Sequence, residues 1–338
     1  MRGMAAAVLL ASVIGAAGGA AAQCKLGKVA TLPVLMDGNR PLAEGTINGQ
    51  KVRVLIDSGA VHSMIYRSAA NRLGLDAVTL DGAVLHGVGG KSRVETTVVD
   101  DISVGSFKGK EVRLLVAGEH EPSSGQAMIL GQDLLQRFEV EYDLANGTVN
   151  FMKAIDCGDT PLIYWADTYS LAEIQPSRGR VKHVEVDVLV NQAKVRAILD
   201  TGAYTSVLSQ RAAARAGVTP ETQGVQAEGL AGGIGRHRID TWVGTFASFT
   251  VGDETIRNAK LRFADLFRHN KQVELGSRMA REFEGLPEML LGADFFRSHR
   301  ILVSHSQGKI YFTHNGGPVF QVIGPMLEEG PEEAEGAE

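Results

Sequence analysis

Apolar positions along this chain recur mostly with a period of two, in short runs separated by glycine-rich turns. Val184, Val186, Val188 and Val190 point one way while Glu185 and Asp187 point the other, the alternation of a strand with one face in a core. Gly45-Thr46-Ile47 and Val52-Arg53-Val54 flank Asn48-Gly49, a pair suited to the type I′ turn of a two-residue hairpin. Helical spacing is confined to stretches such as 67–73 and 210–216, each followed by a glycine, Gly74 or Gly217, in the place of a left-handed C-terminal cap. The pattern predicts an all-β chain with one or two short helices in each half.

The pattern also repeats. Val52-Arg53-Val54-Leu55-Ile56-Asp57-Ser58-Gly59-Ala60 returns as Val195-Arg196-Ala197-Ile198-Leu199-Asp200-Thr201-Gly202-Ala203, 143 positions later. At the same offset Asn48 matches Asn191, Ser63 matches Ser206, Arg72 matches Arg215 and Gly74 matches Gly217. Each copy continues with a Gly-rich hairpin, Gly87-Val88-Gly89-Gly90 in the first and Gly229-Leu230-Ala231-Gly232-Gly233 in the second. A Val-Gly turn (Val104-Gly105, Val251-Gly252) follows, then an apolar pair with glycine, Ile129-Leu130-Gly131-Gln132-Asp133 or Leu290-Leu291-Gly292-Ala293-Asp294. The offset between copies grows along the chain, as loop insertions make it do, and the later insertion includes Ser277–Glu284, which reads as a short helix. An internal repeat of this length organises the molecule: a first lobe over 28–153, a linker over 154–180, a second lobe over 181–314 and an extension over 315–338 ending in a solvated acidic tail.

Composition narrows the partners. The formal charge of −5 is concentrated in that tail: setting aside Arg2 and the six glutamates of the last twelve residues leaves 33 of the 34 basic and 33 of the 39 acidic residues. A balanced body points to neither nucleic acid nor an anionic membrane. Forty glycines and 6% aromatics suit a turn-rich β protein.

Arg2, the apolar run Ala5–Ala17 and Ala20-Ala21-Ala22 have the layout of a secretory signal peptide over 1–22, with the mature chain starting at Gln23. The apolar run is too short to span a bilayer. Cys24 invites a lipoprotein reading, but the residue before it is Gln23 rather than a small one. Export implies the periplasm or the outside, where Cys24 and Cys157, the only two cysteines, are either a bridge across the ends of the first lobe or two free thiols. No CxxC, HExxH or close His pair occurs, and no metal or cofactor is expected.

An apolar strand ending in Asp-Ser/Thr-Gly-Ala, a Gly-rich flap and an apolar-apolar-Gly-x-Asp motif together resemble the retropepsin-like aspartic proteases. Both copies carry the full pattern, so the chain resembles a fused retropepsin dimer, related in plan to two-lobed pepsins but with shorter lobes and a Gly-rich flap in each. The resemblance implies two β-barrel lobes forming a pseudo-dimer, and Asp57 and Asp200 as a catalytic dyad. Two carboxyl groups ~3 Å apart cannot both ionise and share one proton, giving a base for water and an acid for the carbonyl oxygen. Gly59 and Gly202 would let the backbone approach and bond the carboxylates, while Ser58 and Thr201 would reach across to the opposite loop. Ala60 and Ala203 stand where pepsins tend to carry a hydroxyl; without that bond the dyad should work at higher pH than a gastric enzyme. Gly87, Val88, Gly89 and Gly90 in one copy, and Gly229, Leu230, Ala231 and Gly232 in the other, would be flaps over a polypeptide substrate.

The leading function is an exported aspartic endopeptidase acting as a monomeric pseudo-dimer. A non-catalytic peptide-binding module and a homodimer pairing equivalent lobes are the alternatives. Gly90-Lys91-Ser92 lacks the earlier glycine of a phosphate loop, because Leu85 stands there. His62 reads as a surface strand residue, Trp242 as either a cleft cover or core, and Asp133 and Asp294 as partners of backbone amides at helix starts.

Overall fold

The computed structural model describes residues 24–119, 122, 124–176, 183–233, 237–266 and 287–320. The leader 1–22, the helix expected at Ser277–Glu284 and the acidic tail lie outside these residues.

Lobe 1 is built from β1 (Lys25–Asp37), β2 (Arg40–Ile47), β3 (Gln50–Ile56), β4 (Met64–Ile65), α1 (Arg67–Arg72), β5 (Val78–Gly87), β6 (Gly90–Val104), β7 (Phe107–Val116), β8 (Gln126–Leu130), α2 (Gln132–Leu135), β9 (Glu139–Asp143) and β10 (Thr148–Ile155). Lobe 2 follows with β11 (Ser170–Gln175), β12 (Glu185–Val190), β13 (Ala193–Leu199), β14 (Val207–Ser209), α3 (Gln210–Arg215), β15 (Gln226–Ala231), β16 (Ile239–Val251), β17 (Glu254–Ala264), β18 (Met289–Leu291), α4 (Ala293–Ser298), β19 (His299–Ser304) and β20 (Lys309–His314). The architecture is all-β, two tandem lobes with short helices, as the sequence predicts.

The expected turns form for the expected reasons. Asn48 and Gly49 adopt φ of 48° and 77° between β2 and β3, both in the left-handed region that a type I′ turn requires. In lobe 2 Asn191 and Gln192 do the same work at 46° and 68°. The valines of β12 are buried on one face, and Glu185 on the other is buried too, satisfied by Arg196 at 3.1 Å.

Strand pairing is equivalent in the two lobes. β3 runs parallel to β8, with Ile56 beside Leu130, as β13 runs parallel to β18, with Leu199 beside Leu291. β4 is wedged between β7 and β8, and β14 between β17 and β18. Asp57 and Asp200 thus leave their strands where three other strands converge.

A shared antiparallel sheet joins the lobes in the order β1-β10-β9-β19-β20-β11. Its centre pairs Tyr142 with Ile301 and Val140 with Val303 across the lobe boundary. The stretch 154–180 is more than a connector, because it supplies β11, which pairs with β20 and β12 as β1 pairs with β10 and β2. The segment before β11 lies against the outer face of this sheet, where Cys157, Leu162, Leu302 and Tyr311 form a cluster of their own. Cys24 and Cys157 are bridged there, tying the start of β1 to the segment after β10. The extension begins as packed structure: Val319 is buried and Phe320 sits 5.0 Å from Phe249.

Candidate active site

Two turns meet at the lobe boundary. Asp57 follows β3 and Asp200 follows β13, and each aspartate amide donates to the neighbouring strand, Asp57 to the Leu130 carbonyl (3.0 Å) and Asp200 to the Leu291 carbonyl (2.9 Å). This is why the apolar pair precedes the glycine in each motif: it forms the strand against which the aspartate strand is registered.

Inside each turn one carboxylate oxygen accepts two backbone amides. Asp57 Oδ1 accepts from Gly59 at 2.8 Å and Ala60 at 2.9 Å. Asp200 Oδ1 accepts from Gly202 and Ala203, both at 3.0 Å. The glycines are needed for space as well. A Cβ on Gly59 would stand 2.3 Å from Cγ of Asp200, and one on Gly202 would stand 2.4 Å from Oδ2 of Asp57. Each lobe's glycine therefore makes room for the other lobe's carboxyl group, and the two carboxyl groups hydrogen-bond each other.

Ser58 and Thr201 lock the turns together. The Ser58 hydroxyl donates to the Leu199 carbonyl at 2.8 Å and accepts the Thr201 amide at 3.0 Å. Reciprocally, Thr201 Oγ1 donates to the Ile56 carbonyl at 2.6 Å and accepts the Ser58 amide at 3.0 Å. Both residues are buried, so these four bonds close off four groups that water cannot reach.

A second layer holds the turns from below. Ser63 Oγ accepts the Gly131 amide (3.0 Å) and donates to Asp133 (2.6 Å). Ser206 Oγ accepts the Gly292 amide (2.9 Å) and donates to Asp294 (2.6 Å). Asp133 and Asp294 were expected to bond amides at helix starts. They do so from the first turns of α2 and α4, Asp133 accepting the Ser63 amide and Asp294 the Ser206 and Phe295 amides, and each also accepts its serine's hydroxyl. The signal for these serines was present, since both lie in the repeat. Gln132 adds a lobe 1 contact, donating to the Ser58 carbonyl at 2.8 Å.

The electrostatics differ between the halves. Burial raises Asp57, and the amides of Ala60 and Gly59 together with Arg40 hold it back down. Burial and the neighbouring charge of Asp57 raise Asp200 well above the ordinary carboxylate range. Beneath the dyad the buried Tyr142 hydrogen-bonds the Ser58 side chain. His183, kept towards its neutral form by burial, donates to the Gly59 carbonyl. Neither residue is the same in the other copy, where Val303 stands for Tyr142 and Arg40 for His183, so repeat-reading could not find them. Burial also raises Asp294, to about 6.

The flaps need one correction. Gly87 pairs with Gly90, leaving Val88-Gly89 as the two-residue tip of the first flap, as expected. In the second, Leu230 pairs with Asp240 and Ala231 with Ile239, so Gly229, Leu230 and Ala231 lie within β15 and only Gly232 begins the tip. The register explains the error: Thr96 and Val243 are equivalent through their partners Leu115 and Arg262, which makes Leu85 the counterpart of Ala231. Unequal irregularities produce the mismatch, a larger one between Thr79 and Val84 in β5 and a smaller one between Ala227 and Leu230 in β15. Elsewhere, Trp242 stacks on Phe263 with centroids 5.9 Å apart and packs on the main core, and His62 is exposed in the loop before β4 rather than in a strand.

An aspartyl protease family profile matches residues 43–134 and again 186–295. No curated protein matches the chain. Among solved structures, a retropepsin-like aspartic protease from Rickettsia conorii aligns at 17% identity and a TM-score of 0.28, over 39% of this chain and 96% of that one. With two matches that together span most of the chain, one on each lobe, the protein belongs to the aspartyl protease family and carries the retropepsin-like domain twice in tandem.

Proposed function

We propose that the chain is an exported, single-chain aspartic endopeptidase whose dyad is Asp57 and Asp200. The observation that carries this reading is the pair of carboxyl groups, one from each lobe, hydrogen-bonded to each other inside a reciprocal hydroxyl lock. Such a pair titrates as a unit and holds one proton over a range of pH. Burial raises both groups; we place the shared proton on Asp200, which the charge of Asp57 favours, and take Asp57, which Arg40 lowers, as the base.

The chemistry follows from that assignment. Asp57 takes a proton from water as the water oxygen attacks the scissile carbonyl carbon, and Asp200 gives its proton to the carbonyl oxygen. In the resulting gem-diol, Asp57 returns its proton to the amide nitrogen. The C–N bond breaks and Asp200 recovers a proton from the diol, which restores the pair. The amides of Gly59, Ala60, Gly202 and Ala203 fix the carboxylates without reorganisation.

Both lobes contribute to one continuous sheet, which supports a monomeric pseudo-dimer. The Cys24–Cys157 bridge supports an oxidising compartment such as the periplasm. Digestion of a diverse peptide library at several pH values, with and without pepstatin, tests the activity. Cleavage that vanishes in Asp57→Asn and in Asp200→Asn is the expected result. Peptide binding without cleavage by the wild-type chain would replace the enzyme with a binding module, and a folded dimer in solution would remove the monomer.

A further inference from the structure

The dyad cannot tell the lobes apart. Ser58 and Thr201 make the same pair of bonds in opposite directions, and Gly59 and Gly202 make the same room, so two copies of either turn would lock together as these two do. The lobes differ one layer down, in the sheet that joins them. β9 lies antiparallel to β19, with Val140 opposite Val303, Glu141 opposite Leu302 and Tyr142 opposite Ile301. Leu302 is also the lobe 2 counterpart of Glu141. The two stand at the same spacing from Gly292 and Gly131, and Leu302 pairs with Tyr311 on β20 as Glu141 pairs with Asn150 on β10. The pseudo-two-fold axis relating the lobes therefore passes through this pair.

The two sides of the axis carry opposite chemistry. Glu139, Glu141 and Asp143 are buried on one face of β9, where alternate residues point the same way. The β10 residues paired with them, Met152, Asn150 and Thr148, bring no cation. The cation comes from lobe 2, where Arg300 stands in the place of Glu139. Arg300 donates to Glu141 Oε1 from Nε at 2.9 Å and from Nη2 at 2.7 Å, and its Nε is 3.5 Å from Asp143. The guanidinium lies 4.4 Å from the ring centre of Trp165, a cation–π contact, and Trp165 is tied to lobe 2 by its bond to Thr313. The Tyr164 hydroxyl donates to the second oxygen of Glu141 at 2.5 Å.

We propose that this ladder selects the partner of lobe 1: it accepts a lobe 2 surface, from its own chain or from a second copy, and rejects another lobe 1, so that every site formed holds one Asp57 and one Asp200. Turning lobe 1 onto itself about the same axis sets Glu141 against the same residue of the second copy, and Asp143 against its Glu139. Like charges directly opposite destabilise a strand pair, and buried ones without an arginine to answer them do so most. Turning lobe 2 onto itself sets Leu302 against Leu302 and strips Arg300 of both carboxylates. Unlike pairing is thus favoured from two sides, by attraction between the lobes and by repulsion within the like pair. The inference holds whether or not the site cleaves peptides.

Lobe exchange in the folded full chain tests the selection. A site for a sequence-specific protease, placed between the exposed Asp167 and Thr168, is cut after folding, which separates β10 from β11. Isotope-labelled and unlabelled cut protein are mixed, passed briefly through urea and followed by native mass spectrometry. Exchanged complexes should each hold one N-terminal and one C-terminal fragment, with N-terminal pairs below about one in a hundred. N-terminal pairs at about one in ten or more overturn the proposal. Glu139→Gln/Glu141→Gln/Asp143→Asn removes the charge of the β9 face and keeps its shape, and should raise the share of N-terminal pairs at least about tenfold; an unchanged share overturns the proposal too. Where the cut chain does not exchange, or the triple variant does not fold, the partly exposed Arg300 decides. Fragments of the Arg300→Glu protein should part at lower urea than those of the wild type, and adding Glu141→Lys should bring the midpoint back, which a loss of packing alone does not allow. An unmoved midpoint, or one that the charge swap leaves low, overturns the selection while leaving the peptidase reading standing.

Discussion

The turn around Asp57 and the turn around Asp200 are built alike and surrounded differently. Each carboxylate accepts two amides of its own turn, each is backed by the other lobe's glycine, and each turn rests on a serine–aspartate relay. Around them, Tyr142 lies under Ser58, whereas Val303 is the residue at the matching place in the second lobe. Arg40 lowers Asp57, whereas the equivalent position in the second lobe is His183. Geometry that brings two carboxyl groups together has to be symmetric, because each lobe supplies half of every contact. The proton has to be on one side only. A fused chain can assign that side in advance, which two identical subunits cannot do before substrate arrives.

The strongest way to break this comparison is to remove the carboxylates one at a time. Asp57→Asn and Asp200→Asn should each lower kcat by about 10²–10⁴-fold or more, with unchanged circular dichroism. A large loss from one and a small loss from the other would mean that the dyad is not shared. The variants should part company in stability. Asp200 has a folded pKa above the ordinary value of 3.8, so the folded state binds its proton more tightly than the unfolded one. That contribution is full at low pH and is lost as pH rises from about 4 through the raised value. Thermal melts of Asp200→Asn should therefore lack part of the wild-type decline across the acidic to neutral range.

Next in size come the contacts between the turns. Gly59→Ala and Gly202→Ala both force a carboxyl group of the opposite lobe to move and should cost about 1–3 kcal/mol each in denaturant unfolding, with activity falling together. If one is tolerated, the turns are not in mutual contact. Ser58→Ala strands the Thr201 amide and the Leu199 carbonyl, and Thr201→Val strands the Ser58 amide and the Ile56 carbonyl. Each should cost about 1–3 kcal/mol for every group left buried and unpaired. Tyr142 packs against Phe296 in the core and bears on the dyad through Ser58, so Tyr142→Phe, which keeps the ring, should alter the pH–rate profile while its nearest match, Val303→Ile, leaves the profile in place.

The smallest effect sharpens the electrostatic half of the comparison. Activity should rise with pH as Asp57 ionises and fall as Asp200 does, giving a bell displaced above the ordinary carboxylate range. Ala60→Ser and Ala203→Ser each place a hydroxyl beside a carboxylate, which favours the charged form. Ala60→Ser should lower the acidic limb, and Ala203→Ser the alkaline limb, by up to about 1 pH unit. A profile in which both substitutions move the same limb would contradict the assignment of base and acid.

Much of this was legible because the chain states its plan twice. Alternating valines, Asn48-Gly49 and the capping Gly74 and Gly217 announce strands, a hairpin and helix ends from local sterics, and they form as read. Asp57 and Asp200 stand out since the same apolar strand precedes both. The flap of lobe 2 misled for the same reason. A Gly-rich run at nearly the right offset looks like the tip, while unequal irregularities in β5 and β15 shift the true register.

By itself, then, the sequence determined what repeats: the β class, the two lobes, the paired aspartates with their glycines and hydroxyls, because periodicity and steric demand are properties of neighbouring residues. Tertiary structure alone decided what is unlike between the copies. Tyr142 meets Ser58 only because β9 passes beneath the turn, and His183 meets Gly59 only because the lobes abut. Val88 packs against Val207, Ala231 and Ile239 only because the first flap reaches the second lobe. These are contacts between residues far apart in the chain, each found once, and no local pattern encodes them. Burial, which raises both Asp57 and Asp200, arises only when both lobes close around the pair.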